Sequence, residues 1–171
     1  MKQLFLLVTT AIIFFLLGFT LSENNYQQQE EVKKMKRVTS LGGVFFKSEN
    51  PAKLKEWYSK HLGLNVDEYG TNFEWRHSDN PEKTGYTVWC PFKESTKYFD
   101  PSKKEFMINY RVENLEWLVE ELKKEGVTVL DSIETYEYGK FVHIMDIEGN
   151  KIELWQPVDT EYEKSLKVKT K

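Results

Sequence analysis

The chain has 171 residues, 40% of them hydrophobic and 15% aromatic, with a formal net charge of -3. That is room for one domain with a packed core, and lysines interleaved with acids give nucleic acid no basic face to bind. Cys90 is the single cysteine, so no internal disulfide braces the fold and packing must hold it.

The chain opens with "MKQLFLLVTTAIIFFLLGFTLS" (residues 1–22), in which Lys2 precedes an apolar run from Leu4 to Leu21. This is the pattern of a secretory signal peptide, with Thr20 and Ser22 as small residues ahead of a cut. About 20 apolar residues also suffice to span a bilayer, so an uncleaved membrane anchor through residues 4–21 stays open. No cysteine follows the run, which argues against a lipid anchor. Either reading makes the protein exported: periplasmic, secreted or held at the membrane. Residues 23–37, rich in Gln and charge, read as a polar linker.

The domain is expected over residues 38–158, followed by a charged tail over 159–171. Its first half opens with a strand in "LGGVFF" that ends at Ser48–Asn50. Pro51 then sits at a favourable first helical position, and Leu54, Trp57, Tyr58 and Leu62 recur at helical spacing until Gly63. Strand-like runs follow near Leu64–Tyr69, Asn72–Arg76 and Tyr86–Cys90. Cys90, in "YTVWCPF", reads as a buried, inert thiol. The second half repeats the plan. The strand "FMINYRV" leads to Asn114, and Leu115, Leu118, Val119 and Leu122 form a helical stripe that Gly126 ends. Runs near Thr128–Ile133, Phe141–Met145 and Lys151–Trp155 complete it. Both halves close with a Trp two positions before a Pro. The sequence is therefore an α+β domain of two βαβββ modules, about 38–95 and 104–158.

The duplicated module, "ENPAKLKEWYSKHLG" after the first strand and the closing "DIEGNKIELWQP" resemble the vicinal oxygen chelate superfamily. It comprises the glyoxalases, bleomycin-resistance proteins and extradiol dioxygenases. The resemblance covers about 120 of the 171 residues. It implies a cup-shaped sheet with helices outside. In the family's metal enzymes it also implies a divalent cation in the cup, held from the first and last strands of each module. Carried over, Glu153 stands at the last-strand ligand position. The other three positions fall on Thr87, by alignment of the two Trp-x-Pro endings, and on Met107 and Gly43. One carboxylate beside Gly, Thr and Met does not hold a catalytic cation, so no metal cofactor is expected. A divalent metal would need a rearranged site around Glu153 and His143.

If Asp146–Asn150 is a hairpin turn, His143 faces Glu153, Met145 faces Lys151 and Phe141 faces Trp155, each pair on one face of the sheet. Ile144, Ile152 and Leu154 then point toward the helices. The same alternation sends Phe106, Ile108, Tyr110 and Val112 to the core, with Val44 and Phe46. It gives the cup apolar and aromatic walls from Phe45, Trp89, Met107, Phe141 and Trp155. Polar groups come from Lys47, Thr87, Asn109, Arg111, His143 and Glu153. Such a lining suits a small-molecule ligand, and Lys47 and Arg111 point to an anionic one unless they neutralise acids such as Glu153. The His143–Glu153 pair is either a structural cross-strand contact or an acid–base pair. His61 and His77 have no evident site partner.

Three functions fit these residues: a metal-independent binding protein for a small organic ligand, a metal-dependent lyase, isomerase or dioxygenase, and a membrane-held envelope module that contacts another protein. A homodimer stays open in all three, because family members complete their cups by pairing or swapping modules.

Overall fold

The computed structural model describes residues 35–169. The export segment and most of the expected linker lie outside the described residues. Among those described, no helix is long and apolar enough to cross a membrane.

The first module runs β1 (Val38–Ser48), α1 (Pro51–Leu62), β2 (Thr71–Arg76) and β3 (Thr84–Lys93). The second runs β4 (Phe106–Val112), α2 (Leu115–Lys124), β5 (Thr128–Val129), β6 (Glu134–Tyr136), β7 (Gly139–Met145) and β8 (Lys151–Pro157), and α3 (Asp159–Lys169) follows it. The strands form one sheet in the order β2-β3-β1-β4-β8-β7-β5, with β6 on β7. At its centre β1 and β4 pair antiparallel. Each is flanked by the last strand of its own module, running parallel to it. The expected α+β cup of two modules is present.

Local chemistry sets the helix ends. Asn50 and Asn114 each turn a side-chain oxygen onto a first-turn amide, of Lys53 and Trp117 respectively, which satisfies a donor the helix leaves open. Gly63 ends α1 at φ 70, in the left-handed region. The two helices differ in what they bury. Leu115, Leu118 and Val119 of α2 join Val112, Val142, Ile144 and Leu154 in the main core, whereas α1 has no buried residue and Trp57 is half exposed. Leu118→Ala is therefore expected to cost about 2–3 kcal/mol and Leu54→Ala distinctly less, as urea denaturation of the two variants would measure.

Several expectations need correction. Leu64–Tyr69 is not a strand. Asp67 Oδ1 accepts from the amides of Tyr69 and Gly70, both at 2.8 Å, and this Asx turn replaces a ladder. The expected strand at Thr128–Ile133 is only Thr128–Val129, and β6 is additional. Phe106 lies at a strand end, 42% exposed, instead of in the core. The charged tail forms α3 as far as Lys169. Tyr162 packs its ring on Trp155 at 5.0 Å and donates its hydroxyl to Asn72 Oδ1 at 2.7 Å.

Candidate functional site

The hairpin β7–β8 has the expected register: His143 opposite Glu153, Phe141 opposite Trp155 and Met145 opposite Lys151. Its turn forms for a local reason. Asp146 Oδ1 accepts from the amides of Glu148 (2.9 Å) and Asn150 (2.8 Å), and Gly149 takes the positive φ of 76 that a side chain would resist.

Above this hairpin and β3 lies a cavity of about 610 Å³, a usual size for a small-molecule site. Six of the eleven expected residues line it: Phe45, Asn109, Phe141, His143, Glu153 and Trp155. Met107 is fully buried with Phe45 and Phe99 in a small apolar cluster beside the cavity. Lys47 is outside the lining, 3.6 Å from Glu105.

Thr87 and Trp89 do not face the cavity. Trp89 packs on the helix side against Phe46 at 5.4 Å and Tyr58 of α1 at 4.8 Å. The Thr87 hydroxyl donates to the Leu41 carbonyl at 2.8 Å and accepts from Trp75 Nε1 at 3.0 Å. Val88 and Cys90 line the cavity instead. The ladders explain the error. Phe45 and Asn109 each stand five residues before a helix cap, and their parallel partners are Cys90 and Glu153. Cys90, and not Thr87, is therefore the counterpart of Glu153. Matching the Trp-x-Pro endings shifts the register, and the odd shift that separates Thr87 from Cys90 reverses every side chain.

Arg111 is outside the lining and 1% exposed. Its guanidinium sits 4.8 Å from the Trp155 ring and 5.5 Å from the Trp75 ring, and it donates to Asp159 Oδ1 of α3. Its charge is thus already met by a partner that the tail reading did not foresee. Gly42 makes the crossing feasible: a Cβ there would stand 1.9 Å from Asn109 Oδ1 and 3.1 Å from Arg111 Cγ.

Glu153, 3% exposed, is the centre of the polar cluster. Its Oε1 accepts from the Tyr98 hydroxyl and faces His143 Nε2 at 3.1 Å, and its Oε2 accepts from Asn109 Nδ2. On the other side of the ring, His143 Nδ1 faces Asp131 Oδ2 at 2.7 Å, while Asp131 Oδ1 accepts from the His143 amide at 2.8 Å. Both ring nitrogens can donate to these carboxylates only as imidazolium. Burial by itself lowers the His143 pKa. The hydrogen bond and charge of Glu153 and the bond to Asp131 outweigh it, and the pKa is raised above its ordinary value. The stabilisation from this shift is fully present below the unfolded pKa of about 6.5 and is lost as pH rises through the higher folded pKa. An NMR titration of the His143 ring is expected to give a midpoint above about 6.5, with unfolding free energy falling over the same pH range.

Sequence reasoning missed Tyr98, Asp131, Lys151 and Tyr162. Lys151 Nζ donates to the Tyr98 carbonyl at 2.8 Å, and burial lowers its pKa against the pull of Asp131, Glu153 and Asp100. Its facing Met145 across the hairpin was the one sequence signal for it. Cys90 donates to the Tyr69 carbonyl at 2.8 Å, and burial pushes its pKa up to about 11, which favours the protonated thiol over the reactive thiolate.

Among curated proteins no match was found. Among solved structures, a Streptomyces coelicolor methylmalonyl-CoA epimerase variant in complex with 2-nitronate-propionyl-CoA is 14% identical, with a TM-score of 0.54, over 71% of this chain and 99% of that one. The Mycobacterium tuberculosis methylmalonyl-CoA epimerase is 19% identical over 72% of this chain and 91% of that one, with a TM-score of 0.48. A superfamily member from Vibrio splendidus 12B01 is 11% identical over 68% and 99%, with a TM-score of 0.44. At these identities the first likeness speaks for the fold alone. The family model of the Glyoxalase/Bleomycin resistance protein/Dioxygenase superfamily matches residues 40–154, and with two modules closing one cup, the chain belongs to that superfamily.

Proposed function

We propose that the cup binds a small organic molecule with planar rings, and that it does so without the metal centre of its metal-dependent relatives. The observation that carries this reading is the cavity of about 610 Å³, walled by nine aromatic residues around the buried carboxylate of Glu153. Aromatic walls with few convergent polar groups favour burial of a flat ligand and fix its orientation.

The donor chemistry supports the metal-free part. Gly43 has no side chain, Met107 is a thioether with no exposed surface, and the counterpart of Glu153 is Cys90, whose thiol stays protonated at neutral pH. Glu153 already accepts from Tyr98 and Asn109 and faces His143. Among the described residues no group of three or more His, Cys, Asp or Glu side chains is gathered for a cation. Lys47 and Arg111 are paired with Glu105 and Asp159, so neither of these two cations is free to meet an anionic ligand.

The test is a thermal shift of chelator-treated protein against planar aromatics with and without a polar group, such as indole, naphthalene and 2-naphthol. A binding ligand raises the midpoint in proportion to its saturation, and no shift from any of them sinks the reading. Stoichiometric metal whose removal lowers the midpoint sinks the metal-free part. In this reading residues 1–22 export the domain, and mass spectrometry of the mature N-terminus distinguishes cleavage from anchoring.

The line of Asp131, His143 and Glu153 supports a second reading, acid–base catalysis on the bound ligand, with Asp131 orienting the imidazole. Deuterium incorporation from D2O into a carbon of the ligand, absent in Glu153→Gln, would distinguish it from binding alone.

A further inference from the structure

Tyr98 belongs to neither module's sheet. It stands in the connection between β3 and β4, and its side chain reaches Glu153. Its contacts describe the recognition of one chemical class. The hydroxyl donates to Glu153 Oε1. One face of the ring stacks on Phe92, with centroids 5.4 Å apart and planes 3° from parallel. His143 meets it edge-on at 5.5 Å and 86°, and Lys151 Nζ lies 5.2 Å from its centroid. A stacking surface, a cation over the ring and a buried carboxylate placed for an O–H make a complete phenol site.

The occupant and the site differ in how firmly they are held. Glu153 is 3% exposed and is fixed by Asn109 as well as by His143. Tyr98 is 40% exposed and comes in from the solvent side. Its neighbour Phe99, 1% exposed, anchors the connection in the small apolar cluster, and Lys151 holds the Tyr98 carbonyl at 2.8 Å. These anchors act on the backbone and on Phe99, so displacing the Tyr98 ring would need only a change of its own side-chain rotamer.

We propose that Tyr98 occupies a phenol subsite as an internal stand-in, and that the ligand of the cup is a hydroxylated planar ring, a phenol or a cyclic enol, whose O–H donates to Glu153 in place of Tyr98. This rests on the ligand-binding reading above and names the class of ligand. Selectivity follows from the buried acceptor: a ligand that displaces Tyr98 without supplying a donor leaves a carboxylate oxygen under-satisfied, and sites built on such a bond discriminate strongly against the analogue that lacks it. The resident tyrosine also weakens every ligand that uses the subsite, because only the fraction of molecules in which Tyr98 has left it can bind.

The test uses the full chain and three probes of one shape: 2-naphthol, 2-methoxynaphthalene and naphthalene, titrated by fluorescence and thermal shift. The wild-type protein is expected to bind 2-naphthol at least about tenfold more tightly than 2-methoxynaphthalene. In Tyr98→Ala the affinity for 2-naphthol rises about tenfold, and phenol itself begins to raise the thermal midpoint. Equal binding of 2-naphthol and its methyl ether overturns the proposal. So does a Tyr98→Ala protein that folds and binds 2-naphthol no better than wild type. The wild-type comparison needs no variant, so the proposal can fail even if Tyr98→Ala does not fold. Failure of all three probes to bind wild type and variant overturns the ligand-binding reading itself, whereas binding without preference for the hydroxyl overturns only the phenol subsite.

Discussion

Asp159→Ala is expected to lower the unfolding free energy by about 3–5 kcal/mol, the range for removing one partner of a buried ion pair. Arg111 has 1% of its side chain exposed and its guanidinium lies within 5.5 Å of two indole rings, so solvent compensates little for the lost carboxylate. Its Nε already lacks a partner, which leaves the bonds to Asp159 and to the Tyr86 carbonyl, at 3.4 Å, to carry the charge. Lys83, 54% exposed and 3.8 Å from Asp159, is the control: Lys83→Ala should cost less than about 1 kcal/mol. Urea unfolding of both variants measures the difference, and equal small costs would mean that α3 does not seal the base of the cup.

The second large effect is at Glu153. Glu153→Ala removes the acceptor for Tyr98, His143 and Asn109 together, and it leaves a buried imidazolium with Asp131 as its one remaining carboxylate. A cost of about 3 kcal/mol follows from the stranded donors and charge. Glu153→Gln, which keeps the shape and an acceptor oxygen, should cost roughly half as much. Glu116 pairs with Lys140 at the surface, where the carboxylate is 53% exposed, and Glu116→Ala should fall within about 1 kcal/mol. A midpoint that moves at constant slope in the denaturation curve would show that stability has changed and not the extent of unfolding. If Glu153→Ala proves as mild as Glu116→Ala, the cluster is solvated and the ligand readings lose their centre.

The difference between what was legible and what was not follows the range of the interactions. The pairing of His143 with Glu153 could be read because a five-residue turn closed by Asp146 and Gly149 sets the register of both strands. The cup side of β4 could be read for the same kind of reason, since alternation carries Asn109 and Arg111 to one face. β3 was misread because its register with β1 depends on a parallel crossover through α1 and β2, and no local turn reports it.

By itself, then, the sequence determined the two modules, the helix caps, the core face of α2 and the β7–β8 hairpin. All of these rest on periods and turn residues that act within about ten positions of one another. Only the tertiary structure decided what surrounds Glu153. Tyr98 reaches it from 55 residues away, and Asp131 meets His143 from 12. Asp159 and Tyr162 close the base of the cup from a segment that reads as a polar tail, because α3 draws its stability from Arg111 and Trp155 and not from an apolar stripe of its own.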